Sequence, residues 1–156
     1  MFKSGINPKW RMQVSLRLIV CLLLALVTTS GPVVAQSSPG IRTILSSEST
    51  VAGEPIRYPS GAAAQITALE ITLQPGEQTG WHTHPVPLFG YILEGELTVD
   101  YGPKGARVYL KGEGLAEAMN EPHNGRNTGP NPVKILAVFI GMEGLHDSTP
   151  ASPPPR

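Results

Sequence analysis

The chain has 156 residues, of which 12 are Lys or Arg and 12 are Asp or Glu, so its formal net charge at pH 7 is zero. This length is typical of a single domain with one buried core. The lack of a net positive charge removes the electrostatic reason to expect a nucleic-acid partner.

The first 35 residues differ in charge from the rest, because they carry four basic side chains and no acidic one. An apolar run at 18–27 and small residues at 33–35 follow, which is typical of a secretory signal peptide cleaved before Gln36. A membrane anchor is the alternative, but ten residues form a helix of about 15 Å, against a hydrocarbon core of about 30 Å. We therefore expect a signal helix within 1–35, a periplasmic or secreted protein, and no stable membrane span after cleavage.

The remaining chain divides by composition into three parts. Residues 36–40 read as a linker and residues 41–146 as the folded domain. Residues 147–156 are rich in proline and poor in large apolar side chains. Such a segment buries too little surface to offset its ordering entropy, so we expect it to be disordered.

Within the domain, apolar residues recur with a period of two, as in a half-buried strand. In 65–73, for example, Thr67, Leu69, Ile71 and Leu73 share one face. Gly and Pro separate the segments and favour turns. The pattern predicts an all-β sandwich or barrel with strands near 65–73, 89–93, 97–101, 107–110, 115–118 and 133–140.

Two of the four histidines, His82 and His84, lie one residue apart beside Pro85. On a strand, residues i and i+2 project from the same face, so both imidazoles can enter one space. Neutral imidazoles bind divalent transition metals, and His123 is a third candidate ligand from a distant segment. The alternative for the pair is a solvated turn, and for His123 a ring satisfied by backbone carbonyls.

The spacing around His82 and His84 resembles the first motif of the cupins. Gly76 is followed by five residues, His82-Thr-His84, three residues, Leu88, six residues and Gly95. Cupins usually carry Glu at the position of Leu88. The spacing matches throughout, and only the acid is missing.

The second cupin motif is matched around His123. Gly112, His123 and Asn127 keep their places, while Ala118 and Asn120 replace the usual Pro and Gly. Asn tolerates positive φ better than other non-glycine residues, so we expect the turn at Asn120 to survive the exchange.

The resemblance implies an all-β, double-stranded β-helix (cupin or jelly-roll) barrel in which His82, His84 and His123 hold a metal. Leu88 removes the usual fourth ligand, so the ion keeps more of its charge and acts as a stronger Lewis acid. Glu117 is the one candidate for a substitute carboxylate or catalytic base. We expect His146, next to the proline-rich tail, to be an ordinary surface residue.

The same resemblance suggests an exported metalloenzyme with Fe, Mn, Ni or Zn, similar to quercetin-type dioxygenases or to isomerases and decarboxylases. Its partner would be a small oxygenated molecule, and such barrels often form homodimers. A non-catalytic barrel that binds a small ligand or metal in the periplasm is the alternative, because a fold does not determine a function. A metal-free interaction domain is a third reading.

Overall fold

The computed structural model describes residues 40–155. The predicted signal peptide and most of the linker lie outside the described residues. Residues 41–156 form one of the two compact units of the chain. None of the helices in the described range has the length and apolarity needed to cross a membrane.

The described residues are all-β, as the period-two pattern predicts. They contain nine strands and a single 3-10 turn at Gly102–Lys104. In chain order the strands are β1 Ala64–Leu73, β2 His82–Thr83, β3 Leu88–Glu94, β4 Glu96–Asp100, β5 Ala106–Leu110, β6 Gly114–Ala116, β7 Asn124–Arg126, β8 Val133–Met142 and β9 Thr149–Pro150.

The strands form three antiparallel sheets. The largest has the order β1-β8-β3-β6, the second β5-β4-β7, and the smallest pairs β2 with β9. Between β3 and β4 the chain passes from the first sheet to the second at Gly95, where φ is 74°. A β-carbon there would lie 2.6 Å from the carbonyl oxygen of Pro132, so only glycine fits this crossing.

The core lies between the two larger sheets and follows the predicted alternation. On β8 every second residue is buried, from Val133 to Gly141. Two apolar clusters result: a larger one that includes Ile92, Val99 and Val133, and a smaller one built on Val86, Ala137 and Phe139. This burial of alternate side chains is what holds a chain without disulfides together.

Residues 147–155, the described part of the tail predicted to be disordered, pair with the domain. β9 pairs with β2, and the N–H of Ala151 donates to the carbonyl of Trp81 at 2.9 Å. Composition alone missed this, because the segment is held by main-chain hydrogen bonds and by packing against the domain rather than by a core of its own.

The chain turns at Asn120, as expected, but it does so without positive φ, since within residues 40–155 every residue with positive φ is a glycine. Asn120 instead donates its N–H to Glu54 Oε1 at 2.9 Å, and the neighbouring N–H of Met119 donates to Glu54 Oε2 at 2.7 Å. A carboxylate from a distant loop thus fixes this turn, in place of a positive φ at Asn120.

Candidate metal centre

Main-chain pairing brings the His-x-His segment against the loop that carries the third histidine. His82 and His123 exchange two backbone hydrogen bonds of 3.0 Å each. The N–H of His84 donates to the carbonyl of Met119 at 2.6 Å, and that of Thr79 donates to Gly125 at 2.9 Å. The two motifs are therefore neighbours in space although about forty residues separate them.

The three imidazoles meet at one point. The ring centroid of His82 lies 4.8 Å from that of His84 and 4.5 Å from that of His123. The centroids of His84 and His123 are 5.0 Å apart. One ligand atom from each ring can be chosen so that all three lie within 4.8 Å of one another. The convergence inferred from the motif spacing is confirmed, whereas metal binding by these rings stays a prediction.

Each ring has its Nδ1 against a backbone carbonyl. His82 Nδ1 lies 2.8 Å from the oxygen of Gly80, and His84 and His123 make equivalent contacts of 2.9 Å with Asp147 and Glu121. A carbonyl oxygen only accepts, so Nδ1 carries the proton in all three rings. Every Nε2 is left with a free lone pair, which is the tautomer a metal requires.

The donor set fits a divalent transition metal. His123 Nε2 is a buried atom with no hydrogen-bond partner, which is costly unless something binds it. Three imidazoles suit Zn, Fe, Mn and Ni alike, so the residues do not select among these ions.

The electrostatics of the site keep the rings neutral. Burial lowers the pKa of His82 and of His123, and it lowers the pKa of His84 to about 3. The hydrogen bonds to carbonyls oppose this effect but do not cancel it. At neutral pH the site offers three uncharged ligands, because desolvation disfavours the imidazolium form.

The imidazoles open onto a cavity of about 510 Å³. Its walls are mostly apolar and come from both larger sheets, with Leu69, Leu88, Leu97, Leu115, Ile135 and Phe139 among the lining residues. Leu88, which stands where cupins usually have Glu, faces this cavity and also packs against the smaller apolar cluster. Its side chain supplies no ligand, so within residues 40–155 the cluster of metal-binding type contains only the three histidines.

Glu117 lines the same cavity and is 7% exposed. Its Oε1 accepts hydrogen bonds from the hydroxyl of Tyr101 at 2.7 Å and from the N–H of Ala118 at 2.9 Å. Burial raises the pKa of Glu117, and the bond from Tyr101 partly opposes that rise. Burial also raises the pKa of Tyr101, so this phenol stays protonated and can only donate to the carboxylate. The role of Glu117 as a catalytic base stays a prediction.

Two groups that hold the histidines in place were not predicted from the sequence. Glu54 holds the loop before His123, and the carbonyl of Asp147 holds the ring of His84. The pattern Thr50-x-x-x-Glu54 gives a weak local signal, because the Thr50 hydroxyl donates to Glu54 Oε2 at 3.1 Å. A main-chain carbonyl leaves no signal in the sequence.

The remaining motif residues have structural roles. Asn127 is fully buried, donates to the carbonyls of Leu73 and Asn131, and accepts from the N–H of Gly129. It fixes the segment after β7 and is not among the residues that line the cavity. His146 is exposed, as expected for a surface residue.

Residues 69–139 match the family model of the cupin domain, and this segment contains both histidine motifs. The chain therefore contains a cupin domain, as the motif resemblance predicts. No curated protein matches the chain.

Several solved structures are similar to the chain at low identity. An oxalate decarboxylase from Lactobacillus farciminis is 21% identical, with a TM-score of 0.48 over 55% of this chain and 26% of that chain. A Klebsiella pneumoniae protein with a double-stranded β-helix domain is 17% identical, with a TM-score of 0.49 over 60% of this chain and 83% of that chain. A sugar phosphate isomerase from Silicibacter pomeroyi is 22% identical, with a TM-score of 0.43 over 49% and 50% of the two chains. The chain spans about a quarter of the oxalate decarboxylase, and likeness at this level carries no information about activity.

Proposed function

We propose that this protein is an exported cupin metalloenzyme that acts on a small oxygenated molecule. Its reaction is of the dioxygenase or of the isomerase and decarboxylase type, with Fe, Mn, Ni or Zn held by His82, His84 and His123. The observation that carries this proposal is that three free Nε2 lone pairs face an apolar cavity that also contains a buried carboxyl group. The basic leader, the apolar run and the small residues at 33–35 support export.

The cavity suits a small organic molecule. Its volume of about 510 Å³ falls within the usual range of about 300–1,000 Å³ for ligand pockets. The apolar walls exclude water, which strengthens any charge interaction inside. Leu88 belongs to this wall. Compared with a site that has Glu at this position, the site therefore carries less negative charge and exposes more apolar surface to the ligand.

A bound divalent ion would supply Lewis acidity towards an oxygen atom of the ligand. With only neutral imidazoles around it, the ion keeps its full charge. We assign to Glu117 the role of taking a proton from the ligand; this is supported by its carboxyl lining the cavity and by burial raising its pKa. A base whose pKa is raised towards the working pH transfers protons more effectively.

The proposal is tested with metal-loaded protein and a panel of flavonols, diketones and small oxygenated acids, by oxygen uptake and by product analysis. Turnover is expected with at least one of these classes. The Glu117→Gln variant should keep its metal and lose about 100-fold or more in rate, as is usual for a general base. The control is Glu113→Gln, an acid four residues earlier that does not line this cavity.

Full metal occupancy without turnover over the whole panel would contradict the enzymatic proposal. Retention of a small ligand without conversion would then favour the alternative, a periplasmic binding barrel. Unchanged turnover in Glu117→Gln would leave the metal site in place and remove Glu117 from the mechanism.

A further inference from the structure

The segment at residues 147–155, here called the C-terminal strap, runs alongside the His-x-His segment. Thr149 and Pro150 pair with Thr83 and His82, and the N–H of Ala151 donates to Trp81. Further along, Pro154 packs against Gly102 so closely that a β-carbon at Gly102 would overlap its ring. The strap is therefore docked on the domain at two separate places.

The start of the strap reaches the metal centre. The carbonyl oxygen of Asp147 accepts the hydrogen bond from His84 Nδ1 at 2.9 Å, across 63 positions of sequence. Ser148 and Pro150 line the cavity beside the histidines. In contrast, the Nδ1 atoms of His82 and His123 bond to carbonyls only two residues away.

We propose that the C-terminal strap is a positioning element of the metal centre. The main-chain carbonyl of Asp147 fixes the tautomer and the orientation of the His84 ring, and pairing with β2 holds that carbonyl in place. This inference rests on the proposed metal site. Partners of this kind, which orient a ligand without touching the ion, change metal affinity by about 10- to 100-fold when they are removed.

The role belongs to the main chain of Asp147 and not to its carboxylate. Asp147→Ala keeps the carbonyl and is expected to leave metal affinity unchanged. Loss of affinity in Asp147→Ala would overturn the proposal, because it would assign the effect to the side chain.

The direct test is a titration with Co²⁺, followed through its visible absorption, on the full chain and on two shortened chains. A chain ending at Ala151 keeps the Asp147 carbonyl, β9 and the bond to Trp81, and should match the full chain. A chain ending at His146 loses all three and should bind about 10- to 100-fold more weakly, with an altered absorption band. Equal affinity and equal spectra for the three chains would overturn the inference.

A second measurement on the full chain avoids any problem of folding in the shortened forms. Coupling between two sites is reciprocal, so if the strap holds His84 for the ion, the ion must hold the strap. Zn²⁺ should therefore slow amide exchange at Ala151 more than at Glu143, whose N–H donates to Ala63 at 2.9 Å. Equal slowing at both amides would contradict the proposal.

The outcomes separate this inference from the function on which it rests. A full chain that binds no metal would overturn both. A full chain that binds metal as tightly as the chain ending at His146 would leave the metal site intact and remove only the strap from it.

Discussion

The two most buried histidines, His84 and His123, differ in what fixes them. His123 is oriented locally, by the carbonyl of Glu121, and the loop before it is held by the carboxylate of Glu54. His84 is oriented by the carbonyl of Asp147, which arrives from the end of the chain. Both rings thus bond to main-chain carbonyls, but the loop of His123 also depends on a side chain that a substitution can remove, whereas His84 depends on a distant segment of main chain that only a change of backbone can remove.

This difference indicates where the site is vulnerable. Substitutions in the loop around His123 should act on both stability and metal binding, because the supporting side chains are also part of the fold. Changes to the strap should act mainly on metal binding, because the strap contributes little to the two apolar clusters.

The largest effect on the His123 side is expected for Asn127→Ala. The change removes three hydrogen bonds, two buried ones with Leu73 and Gly129 and a partly buried one with Asn131, which should lower the free energy of unfolding by about 3 kcal/mol. Denaturant unfolding measures it. Asn124→Ala, three residues earlier and bonded to exposed Gln78, should cost no more than about 0.5 kcal/mol; similar losses for both would contradict this role of Asn127.

Acidification is expected to lower the free energy of unfolding by a comparable amount, through the buried ring of His84. The folded pKa of His84 is about 3, so the unfolded chain takes up a proton near pH 6.5 that the folded chain refuses. The stabilisation is fully present above pH 6.5 and is lost as the pH falls towards 3, by about 2 kcal/mol between pH 7 and pH 5 for this ring alone.

The same shift alters the expectation for metal affinity. An imidazole with an unperturbed pKa predicts that metal affinity weakens as the pH falls through about 6. Buried rings with lowered pKa remain ligands at lower pH.

Unfolding curves of the metal-free protein measured from pH 7 to 5 test the predicted dependence of stability on pH. Stability that does not change over this range would contradict the burial of neutral histidines.

Glu54→Gln tests the side chain that holds the His123 loop, and a smaller loss of stability is expected than for Asn127→Ala. Burial by itself raises the pKa of Glu54, but hydrogen bonds from Met119, Asn120 and Thr50 outweigh it and lower the pKa. The carboxylate is therefore ionised, and an amide can accept from only one of the two loop N–H groups. A loss of about 1.5 kcal/mol is expected.

The same Glu54→Gln variant should also bind metal more weakly, because its loop carries His123. Calorimetric titration with Zn²⁺ and thermal unfolding measure the two effects together. Glu48→Gln, an exposed acid six residues earlier, is the matched control and should leave both unchanged. Loss of stability with unaltered metal affinity would separate the loop from the metal centre.

The smallest effect is expected for Leu88→Glu, which restores the acid of the cupin motif. In the metal-free protein the new carboxyl faces an apolar cavity, so stability should fall by about 1 kcal/mol. Added Zn²⁺ should recover more stability than in the parent protein, because a carboxylate joins the ligands. Leu88→Gln has the same shape without the charge, and an equal recovery there would contradict a ligand role for position 88.

The fold could be predicted from the sequence because alternating side chains and turn residues report directly on a half-buried sheet. The six predicted strands are all present, with bounds that differ by a few residues. Strands β2, β7 and β9 were not predicted as separate elements, since two or three residues with His, Asn, Gly or Pro give no periodicity. Their pairing is set by tertiary contacts that a local pattern does not contain.

The candidate site divides in the same way. The convergence of His82, His84 and His123 could be predicted because motif spacing fixes where these residues lie along the chain. Glu117 lines the same cavity, and its role stays a prediction. The supports from Glu54 and Asp147 could not be predicted, because each comes from a segment outside both motifs. The carbonyl of Asp147 is also independent of residue type, so no reading of side chains could have identified it.

Elemental analysis of purified protein after loading with Zn²⁺ and desalting tests the central claim most directly. The full chain and the His146→Ala control should each retain about one ion, while His123→Ala should retain almost none, because only two of the three clustered ligands remain. Retention of the same amount of zinc by His123→Ala as by the parent protein would contradict a metal centre built on three converging histidines.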